Sequence, residues 1–385
     1  MTARIEIART LDEVEALEPL WRSVPWTGEQ AELPLYLAAG RARSQHGNPL
    51  ALIVVRDEAA SAAAVGRVER RKLETRIGYL DVYAPMLEVL QIVPGGVVAE
   101  DSEAIAALTA AVQAALAAGE ADALALPALP VDSELYRAFA GLGGALQRQP
   151  FIPTWTRRRL VLPESFDEFL ASRSRKIRAG IRYDAKKLVD ALGDALSVEI
   201  FREAGSFERL VSDMDRISAS TYQRALGAGF ADTAERRAVL HVALEHGWSR
   251  AYLLYHRDEP IAYWLCSVHG DAITLGSTGY RPEYARYRVG IYLLMRVIED
   301  ACSDPALRVL DFGPGRSAYK RHFSSEGYEE RNLVLFAPSF RARRINAARS
   351  AILGSAWLAR AALDAIGLTD RLKSTWRNRL RRSGA

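Results

Sequence analysis

Hydrophobic and polar positions follow each other along this chain in blocks that predict a series of strands and helices. Residues 4–8 alternate charged and apolar side chains as a half-buried strand does, and residues 50–55 form a β-branched run typical of a buried strand. An alanine-rich helix is predicted over residues 102–118, because alanine has the highest helix propensity. The other predicted strands of the first half are 62–68, 78–82, 89–93 and 123–126, the last followed by a Pro-rich break to Pro130, and the other helices are 11–22, 35–45 and 133–142.

The second half repeats this order of elements. Its predicted strands are 251–255, 261–268, 272–277 and 308–310, with a helix over 289–301 before the last of them. The tripeptide Arg56-Asp57-Glu58 returns as Arg257-Asp258-Glu259, 201 residues later, at what we take to be the same place in each unit. The order of elements indicates two copies of one α/β unit, each with a mixed β-sheet flanked by helices.

The repeat predicts a division of the chain into three parts. Residues 1–150 form the first unit, residues 151–340 the second, and residues 341–385 a basic helical tail. Between the units, residues 166–189 predict a basic helix whose apolar stripe is Ile177, Ile181 and Leu188. This helix is either a solvated linker or a rim that contacts phosphate groups.

Composition narrows the classes of function. Hydrophobic residues make up 49% of the chain and charged residues 25%, as in a soluble folded protein. The two cysteines, Cys266 and Cys302, are too few for a disulfide framework or a thiolate metal cage, and no secretory signal opens the sequence. We therefore expect a cytoplasmic protein with reduced cysteines, and no metal or redox cofactor, since no fingerprint for either is present.

Charge is concentrated at the end of the chain. Residues 341–385 contain 11 Lys/Arg and 2 Asp/Glu, whereas residues 1–340 are mildly acidic. The apolar stretch 350–368 contains Arg360 and Asp364, so it fails the test for a transmembrane helix. Two alternatives stay open: a helix lying on an anionic membrane surface, and a helix docked on the body before a frayed basic tail.

Two stretches of the second half carry candidate chemistry. The run from Asp311 through Gly313-Pro314-Gly315 ends a strand and leads to a helix with Tyr319 and Lys320, for which Ser317 is the predicted N-cap. Earlier, a strand exit near Tyr280 leads to a helix start at Val289, Gly290 and Ile291, with Arg286 and Arg288 beside it. Helix starts expose N–H groups and the positive end of the macrodipole, so this one is a candidate phosphate site.

These motifs, with the basic Ser174–Leu188 helix, make residues 151–338 resemble the acetyltransferase domain of the CelD/BioF2-like group. That group is related to Gcn5-related N-acetyltransferases (GNAT) and to FemAB aminoacyl transferases. The resemblance implies a tandem GNAT fold and acyl transfer from acetyl-CoA or another acyl-CoA to an amine. The pyrophosphate turn departs from the GNAT pattern, because only Gly290 fits and Tyr292 replaces the last small residue.

The resemblance also implies roles for single residues. Lys320 stabilises a developing oxyanion, Tyr319 protonates the leaving thiolate, and Asp311 positions the amine or accepts its proton. The expected acyl-CoA site is Arg286, Arg288, Val289, Gly290 and Ile291, and the expected substrate-binding residues are Tyr280, Tyr284 and Trp264.

Three functions follow as hypotheses. The first is an N-acyltransferase acting on a small-molecule or glycan amine in cell-surface polysaccharide synthesis, peripheral to the inner membrane face. The second is FemAB-like transfer from aminoacyl-tRNA, with residues 173–187 contacting RNA. The third is a non-catalytic, membrane-associated scaffold. The first unit has Arg137 where the second has Lys320, so we expect only the second unit to be catalytic.

Overall fold

The computed structural model describes residues 4–42, 47–77, 80–221, 229–315 and 317–365. Its strands are β1 Arg4–Ala8, β2 Asn48–Arg56, β3 Ala59–Lys72, β4 Thr75–Ile77, β5 Leu80–Tyr83, β6 Met86–Ala99, β7 Ala123–Pro130, β8 Thr154–Val161, β9 Leu196–Phe201, β10 Ser249–His256, β11 Glu259–His269, β12 Ala272–Tyr280, β13 Val309–Asp311 and β14 Glu326–Phe336. Its α-helices are α1 Leu11–Ala16, α2 Glu18–Ser23, α3 Leu33–Ala42, α4 Ser102–Ala117, α5 Glu134–Gly141, α6 Phe166–Ala171, α7 Arg175–Leu192, α8 Phe207–Ala219, α9 Ala234–Glu245, α10 Val289–Ser303, α11 Ala318–Phe323 and α12 Phe340–Ala365.

One mixed sheet of twelve strands runs through both halves, in the order β1-β2-β3-β6-β7-β14-β8-β13-β12-β11-β10-β9, and β4 and β5 form a separate hairpin. Each half contains one parallel pair, β6 with β7 and β12 with β13. The strand β14, near the end of the chain, lies between β7 and β8 and pairs with both. Strand β8 follows β7 and α5 as β14 follows β13 and α11. Because β8 pairs with β13 and β14 pairs with β7, the two units exchange their last strands.

The repeat extends to the hairpin turns. Asp57 and Glu58 have positive φ between β2 and β3, and Arg257 and Asp258 have positive φ between β10 and β11. Such pairs of left-handed residues form the tight turns that match strand twist. Arg56 thus corresponds to His256, since each ends the first strand of its hairpin. The prediction that the Arg-Asp-Glu tripeptides occupy the same place was wrong by one residue, although the order of elements does repeat.

Apolar side chains cover both faces of the sheet. In the second half, Leu293, Val297 and Ile298 of α10 pack on one face with strand residues such as Trp264 and Leu310. Helices α8 and α9 cover the opposite face. The predicted stripe on α7 is confirmed, because Leu188 is fully buried and Ile177 and Ile181 pack against the same cluster as α10.

Three predicted boundaries were wrong. Residues 11–22 form two helices, and residues 166–189 are divided by a break in which the Ser174 hydroxyl accepts a hydrogen bond from the N–H of Ile177 and starts α7. The Pro-rich stretch after residue 126 is part of β7. A register shift opposite Pro127 accommodates the proline, and the Ala128 N–H donates to Asn332 Oδ1 at 2.8 Å instead of to the ladder. Strands β4, β8, β9 and β14 and helices α8 and α9 were not predicted.

The last helix, α12, begins ten residues earlier than predicted and docks on the first half. Ala342 and Ile345 belong to the core cluster of the first half. Asn346 Nδ2 donates to the carbonyls of Leu146 and Arg148, both at 2.9 Å. The beginning of this helix therefore follows the docked alternative. No helix in the described part of the chain is long and apolar enough to cross a membrane. Parts of the predictions for residues 35–45, 78–82 and 350–368, and for the tail to 385, lie outside the described residues.

Candidate active site

A gap opens in the second half where two parallel strands diverge. Strand β13 pairs with β12 only opposite Ala272, Ile273 and Thr274, and it ends at Asp311, whereas β12 continues to Tyr280. Gly313 then turns the chain away at φ +64°, and a Cβ on it would lie 2.9 Å from the Leu275 carbonyl oxygen. Glycine is required there on both counts. The edge of β12 beyond Thr274 consequently faces open space instead of a neighbouring strand.

A cavity of about 930 Å³ reaches this gap and extends between the two halves of the molecule. On the second-half side its lining includes Leu275, Ser277 and Pro314, which border the gap. On the first-half side it includes Glu29 and Leu129. The exchange of closing strands places both units around one space, so a ligand in the cavity would contact both.

Two arginines of β8 and two carboxylates form an ion-pair cluster at the cavity wall. Arg157 Nε donates to Asp311 Oδ2 at 2.7 Å, and Arg157 Nη1 donates to Glu330 Oε1 at 3.4 Å. Arg159 Nε donates to the same Asp311 oxygen at 3.1 Å, and Arg159 Nη2 donates to the Tyr328 hydroxyl at 2.7 Å. Four residues of this cluster, Arg157, Arg159, Tyr328 and Glu330, belong to the cavity lining.

Burial and ion pairing shift the pKa values of this cluster in opposite directions. Burial lowers the pKa of Arg157, but the charges of Asp311 and Glu330 outweigh it and leave the pKa above its usual value. Burial raises the pKa of Glu330, against the opposing effect of Arg157. Burial also raises the pKa of Glu29, which lines the cavity together with Ser267. The cavity therefore holds two carboxyl groups with raised proton affinity.

Asp311 is enclosed by donors. Besides the two arginines on Oδ2, the Gly313 N–H donates to Oδ1 at 2.8 Å, and the residue is only 2% exposed. An incoming amine would have to displace one of these donors to bind the carboxylate. The geometry makes Asp311 a residue that positions Arg157, Arg159 and the turn.

Lys320 is buried and clamps the turn at the gap. Its Nζ donates to the carbonyl oxygens of Gly313 at 3.1 Å and Pro314 at 2.5 Å. Burial lowers the pKa of Lys320, with the nearby charge of Asp311 opposing the shift. An ammonium group has three donors, so one N–H remains beyond these two bonds. Helix α11 begins after Ser317 as predicted, but the Ser317 side chain does not cap it.

Tyr319 lies beside this clamp, with its ring edge-on to Phe312 at 6.3 Å between centroids. Burial raises the pKa of Tyr319 to about 12. The hydroxyl is consequently protonated at neutral pH. Because its pKa is well above that of an ordinary thiol, about 8.5, the group suits hydrogen-bond donation to a leaving sulfur better than full proton transfer.

The start of α10 has an unusual geometry. Its N-terminal flanking residue, Arg288, is left-handed at φ +54°, and no side chain caps the helix. Val289 is fully buried, and the Ile291 N–H donates to the Arg288 carbonyl at 2.9 Å. Arg288 pairs with Asp184 of α7 at 3.0 Å, and Lys187 Nζ donates to the Arg286 carbonyl at 3.0 Å. The basic helix α7 therefore lies beside this helix start.

The three predicted substrate-binding residues support the entrance to α10 and do not line the cavity. Trp264 Nε1 donates to the Gly290 carbonyl at 3.2 Å. The Tyr280 ring lies 3.4 Å from the position that a Cβ on Gly290 would occupy. The Tyr284 hydroxyl bonds to His256 Nδ1 at 3.1 Å. The predicted phosphate-site residues are thus brought together, while the cavity is lined by other residues.

The sequence interpretation missed Arg157, Arg159, Tyr328, Glu330 and Glu29. The sequence does contain a signal for the arginines, because the strand pattern of Thr154–Val161 places Arg157 and Arg159 on one face. That pattern does not distinguish a face towards solvent from a face towards a cavity. Glu29 lies in a short 3₁₀ turn, and nothing in its local sequence indicates proximity to Ser267. No group of three His, Cys, Asp or Glu residues is arranged to hold a metal among the residues that the structure describes.

Comparison with known proteins finds a family match within the second half. The family model described as acetyltransferase (GNAT) domain matches residues 175–321. The solved structure of FemX is 14% identical with a TM-score of 0.55, and covers 87% of this chain and 97% of its own. A tandem GNAT protein from the clavulanic acid biosynthesis pathway is 12% identical with a TM-score of 0.48, and covers 87% of this chain and 99% of its own. No curated protein matches the sequence. The chain therefore has a mixed α/β fold that is similar to that of FemX, and residues 175–321 match the model of the acetyltransferase (GNAT) domain.

Proposed function

We propose that this protein is an N-acyltransferase that moves an acyl group from acyl-CoA to an amine bound in the cavity between the two halves. The observation that carries the proposal is the gap between β12 and β13, which opens into a cavity walled by both units. The GNAT domain match over residues 175–321 includes the whole of β12 and the start of α10. Membership of the CelD/BioF2-like group is part of this proposal.

The start of α10 fits the diphosphate of the donor. Its first N–H groups are free of any side-chain cap, and helix starts attract phosphate through these groups and the macrodipole. Arg286 is exposed beside it and adds positive charge, and Arg288, which is also exposed, pairs with Asp184. The N–H groups of Val289 and Gly290, next to Ile291, would hold the diphosphate, so the acyl end of the donor would extend along β12 towards the gap.

The proposed reaction forms one amide bond and breaks one carbon–sulfur bond. The amine attacks the thioester carbonyl, its proton passes to a carboxylate, and the thiolate leaves. Glu330 and Glu29 are the proposed proton acceptors, because burial raises the pKa of each and both line the cavity. Lys320 would supply positive charge for the oxyanion, and the Tyr319 hydroxyl would donate to the leaving sulfur.

The acceptor is proposed to be a small-molecule or glycan amine. The cavity wall has carboxylates that favour an ammonium group and arginines that favour an anionic group on the same molecule. A role in cell-surface polysaccharide synthesis, on the cytoplasmic side of the inner membrane, is the physiological setting that we propose.

The test is a matched pair of neighbouring glutamates on β14. Glu330 is 2% exposed, whereas Glu329 is exposed at the surface. Acetyl-CoA binding is measured by calorimetry, and transfer to a panel of amines by mass spectrometry. We expect Glu330→Gln to lower kcat at least tenfold with donor affinity unchanged, and Glu329→Gln to have little effect. In the wild type, activity should fall as pH drops through the pKa of Glu330, which lies above the ordinary carboxyl value. Absence of binding by every acyl-CoA would disprove the donor assignment.

A second candidate, transfer from aminoacyl-tRNA, is favoured by the basic helix. Exposed cations on α7 include Arg175, Lys176 and Lys186, which could follow a phosphate backbone. The two functions separate in one experiment, because nuclease treatment of the donor mixture would abolish transfer from tRNA and leave transfer from acyl-CoA unchanged.

A further inference from the structure

The hairpin formed by β4 and β5 presents an apolar face to solvent. Ile77 pairs with Leu80 across the two strands, and Val82 follows two residues after Leu80, so the three side chains share one face. Their exposed fractions are 40%, 61% and 51%. The hairpin is not part of the main sheet, and apolar patches of this kind on a folded protein mark contact surfaces.

A second group of exposed apolar side chains lies on α12. Trp357 and Leu358 are 58% and 63% exposed, and the Trp357 ring stacks on half-exposed Phe151 at 6.3 Å. The helix is fixed to the base of the hairpin, because Arg349 Nη1 donates to the Leu73 carbonyl and to Thr75 Oγ1 at 2.8 Å. We use the name hairpin–helix surface for the exposed apolar side chains of the β4–β5 hairpin and α12 together with Phe151. They are Ile77, Leu80, Val82, Phe151, Trp357 and Leu358.

Basic residues flank this surface on α12 and on β3, the strand that precedes the hairpin. Arg70, Arg71 and Lys72 are exposed at the end of β3, immediately before the hairpin. Arg343 and Arg344 are exposed on the first turns of α12. On the hairpin itself Glu74 and Asp81 both pair with Arg76, at 2.6 Å each. The cations that remain around the apolar side chains are therefore in excess of the acids.

The sequence that follows the described helix is also basic. Residues 366–385 contain six Lys/Arg and one Asp, and they also contain Leu372, Trp376 and Leu380. A combination of exposed aliphatic residues, tryptophan and surrounding cations fits the boundary of an anionic bilayer, where apolar groups enter the acyl region and cations contact headgroups. A protein partner would require no such consistent charge.

We propose that the hairpin–helix surface binds the surface of an anionic phospholipid bilayer. The hairpin face and Trp357 enter the interface, and the cations of β3 and α12 contact the headgroups. This docking uses elements of the first half and the end of the chain, and it involves none of the residues assigned to acyl transfer. It therefore stands or fails independently of the proposed reaction.

The test is flotation of the full-length protein with vesicles of phosphatidylglycerol and phosphatidylcholine, compared with phosphatidylcholine alone. We expect binding to the anionic vesicles only, weakened by salt because the attraction is electrostatic. The double variant Arg343→Glu and Arg344→Glu should bind at least tenfold more weakly, whereas the same charge change at exposed Arg175 and Lys176 should leave binding within about twofold.

Apolar contact is tested by Leu80→Asp with Val82→Asp, and by Trp357→Ala as a milder variant, with Val189→Asp, also an exposed valine, as the control. Circular dichroism and thermal melting establish that each variant is folded. We expect the hairpin variant and Trp357→Ala to lose at least fivefold in vesicle affinity, and the control to bind normally. Equal binding to neutral vesicles, unchanged binding by every variant, or a wild-type dimer that the hairpin variant dissociates without any vesicle binding would overturn the proposal.

Discussion

The two halves of the molecule contain the same helix start, closed in the first and open in the second. In the first half, Asp101 precedes α4, and its carboxylate accepts from the Ala104 N–H at 2.8 Å and pairs with Arg56 at 2.7 Å. In the second half, left-handed Arg288 precedes α10 and no side chain caps the helix. The bond from Arg56, followed by the bond from Ala104, lowers the pKa of Asp101. The first half thus supplies its own anion at the place where the second leaves donors available.

The strands beside these helices differ in how the second strand of each parallel pair continues. In each half the parallel pairing covers three residues, Val89 to Gln91 with β7 and Ala272 to Thr274 with β13. Strand β7 then continues to Pro130 against β14, whereas β13 ends and its turn is clamped by Lys320. Both parallel pairs therefore separate after three residues, and Val93, Gly95 and Leu129 of the first half line the cavity together with residues of β12.

The largest effect is expected at the turn that makes the gap. Gly313→Ala would place a Cβ 2.9 Å from the Leu275 carbonyl oxygen at φ +64°, so we expect a loss of about 3 kcal/mol in the free energy of unfolding. Gly119→Ala, after α4 in the first half, is the control. Gly119 has φ +86° with nothing within 4 Å of the added Cβ, so about 1 kcal/mol is expected. Equal losses in urea denaturation would show that the close approach to Leu275 is irrelevant.

The next effect concerns the two helix starts. Arg288→Asp places a carboxylate where we propose the diphosphate binds, so calorimetry should show acetyl-CoA affinity falling about 30-fold, or ~2 kcal/mol. Asp101→Ala uncovers the equivalent donors of α4. We expect it to lower the melting temperature through loss of the cap, without creating an acyl-CoA site, because Glu100 and Glu103 place acidic charge beside that helix start. A second binding event in Asp101→Ala would contradict this expectation.

The sequence was sufficient for the repeat and for the α10 entrance, but not for the cavity. Periodicity identifies β10 to β12 and α10 because those segments are locally amphipathic or apolar. The exchange of β8 and β14 joins residues far apart in the chain, such as Arg157 and Glu330, and no local pattern reports that pairing. The one-residue shift between the two Arg-Asp-Glu tripeptides has a similar cause. The register of a hairpin is set by the pairing of its strands, and a short match of residue types does not determine that pairing.

A third comparison is between Lys320 and Arg137. Lys320→Met retains most of the side-chain volume but leaves the carbonyls of Gly313 and Pro314 without their donor, so we expect a loss of about 1.5 kcal/mol in the free energy of unfolding. Arg137 is exposed, and Arg137→Met should remain within about 0.5 kcal/mol. If the two substitutions cost the same, the clamp is not a feature of the second half alone.

The pH dependence sharpens this prediction. Burial lowers the pKa of Lys320, so between its pKa in the folded protein and the ordinary lysine value of about 10.4 the unfolded chain binds more protons than the folded one. Stability from this residue therefore rises with pH across that window. Denaturation at several alkaline pH values should show this positive contribution in the wild type and its absence in Lys320→Met. A difference between the two proteins that shrinks as pH rises would contradict the lowered pKa.

The smallest effect tests how closely the diphosphate approaches α10. A Cβ on Gly290 would meet the Tyr280 ring at 3.4 Å, an ordinary contact, so Gly290→Ala should change the free energy of unfolding by less than about 0.5 kcal/mol. If the donor lies against this backbone, the same methyl group should reduce acetyl-CoA affinity about fivefold in calorimetry, roughly 1 kcal/mol. The control is Gly180→Ala on α7, where the added Cβ has nothing within 4 Å. Unchanged affinity in Gly290→Ala would move the diphosphate away from the helix backbone and towards the side chains of Arg286 and Arg288.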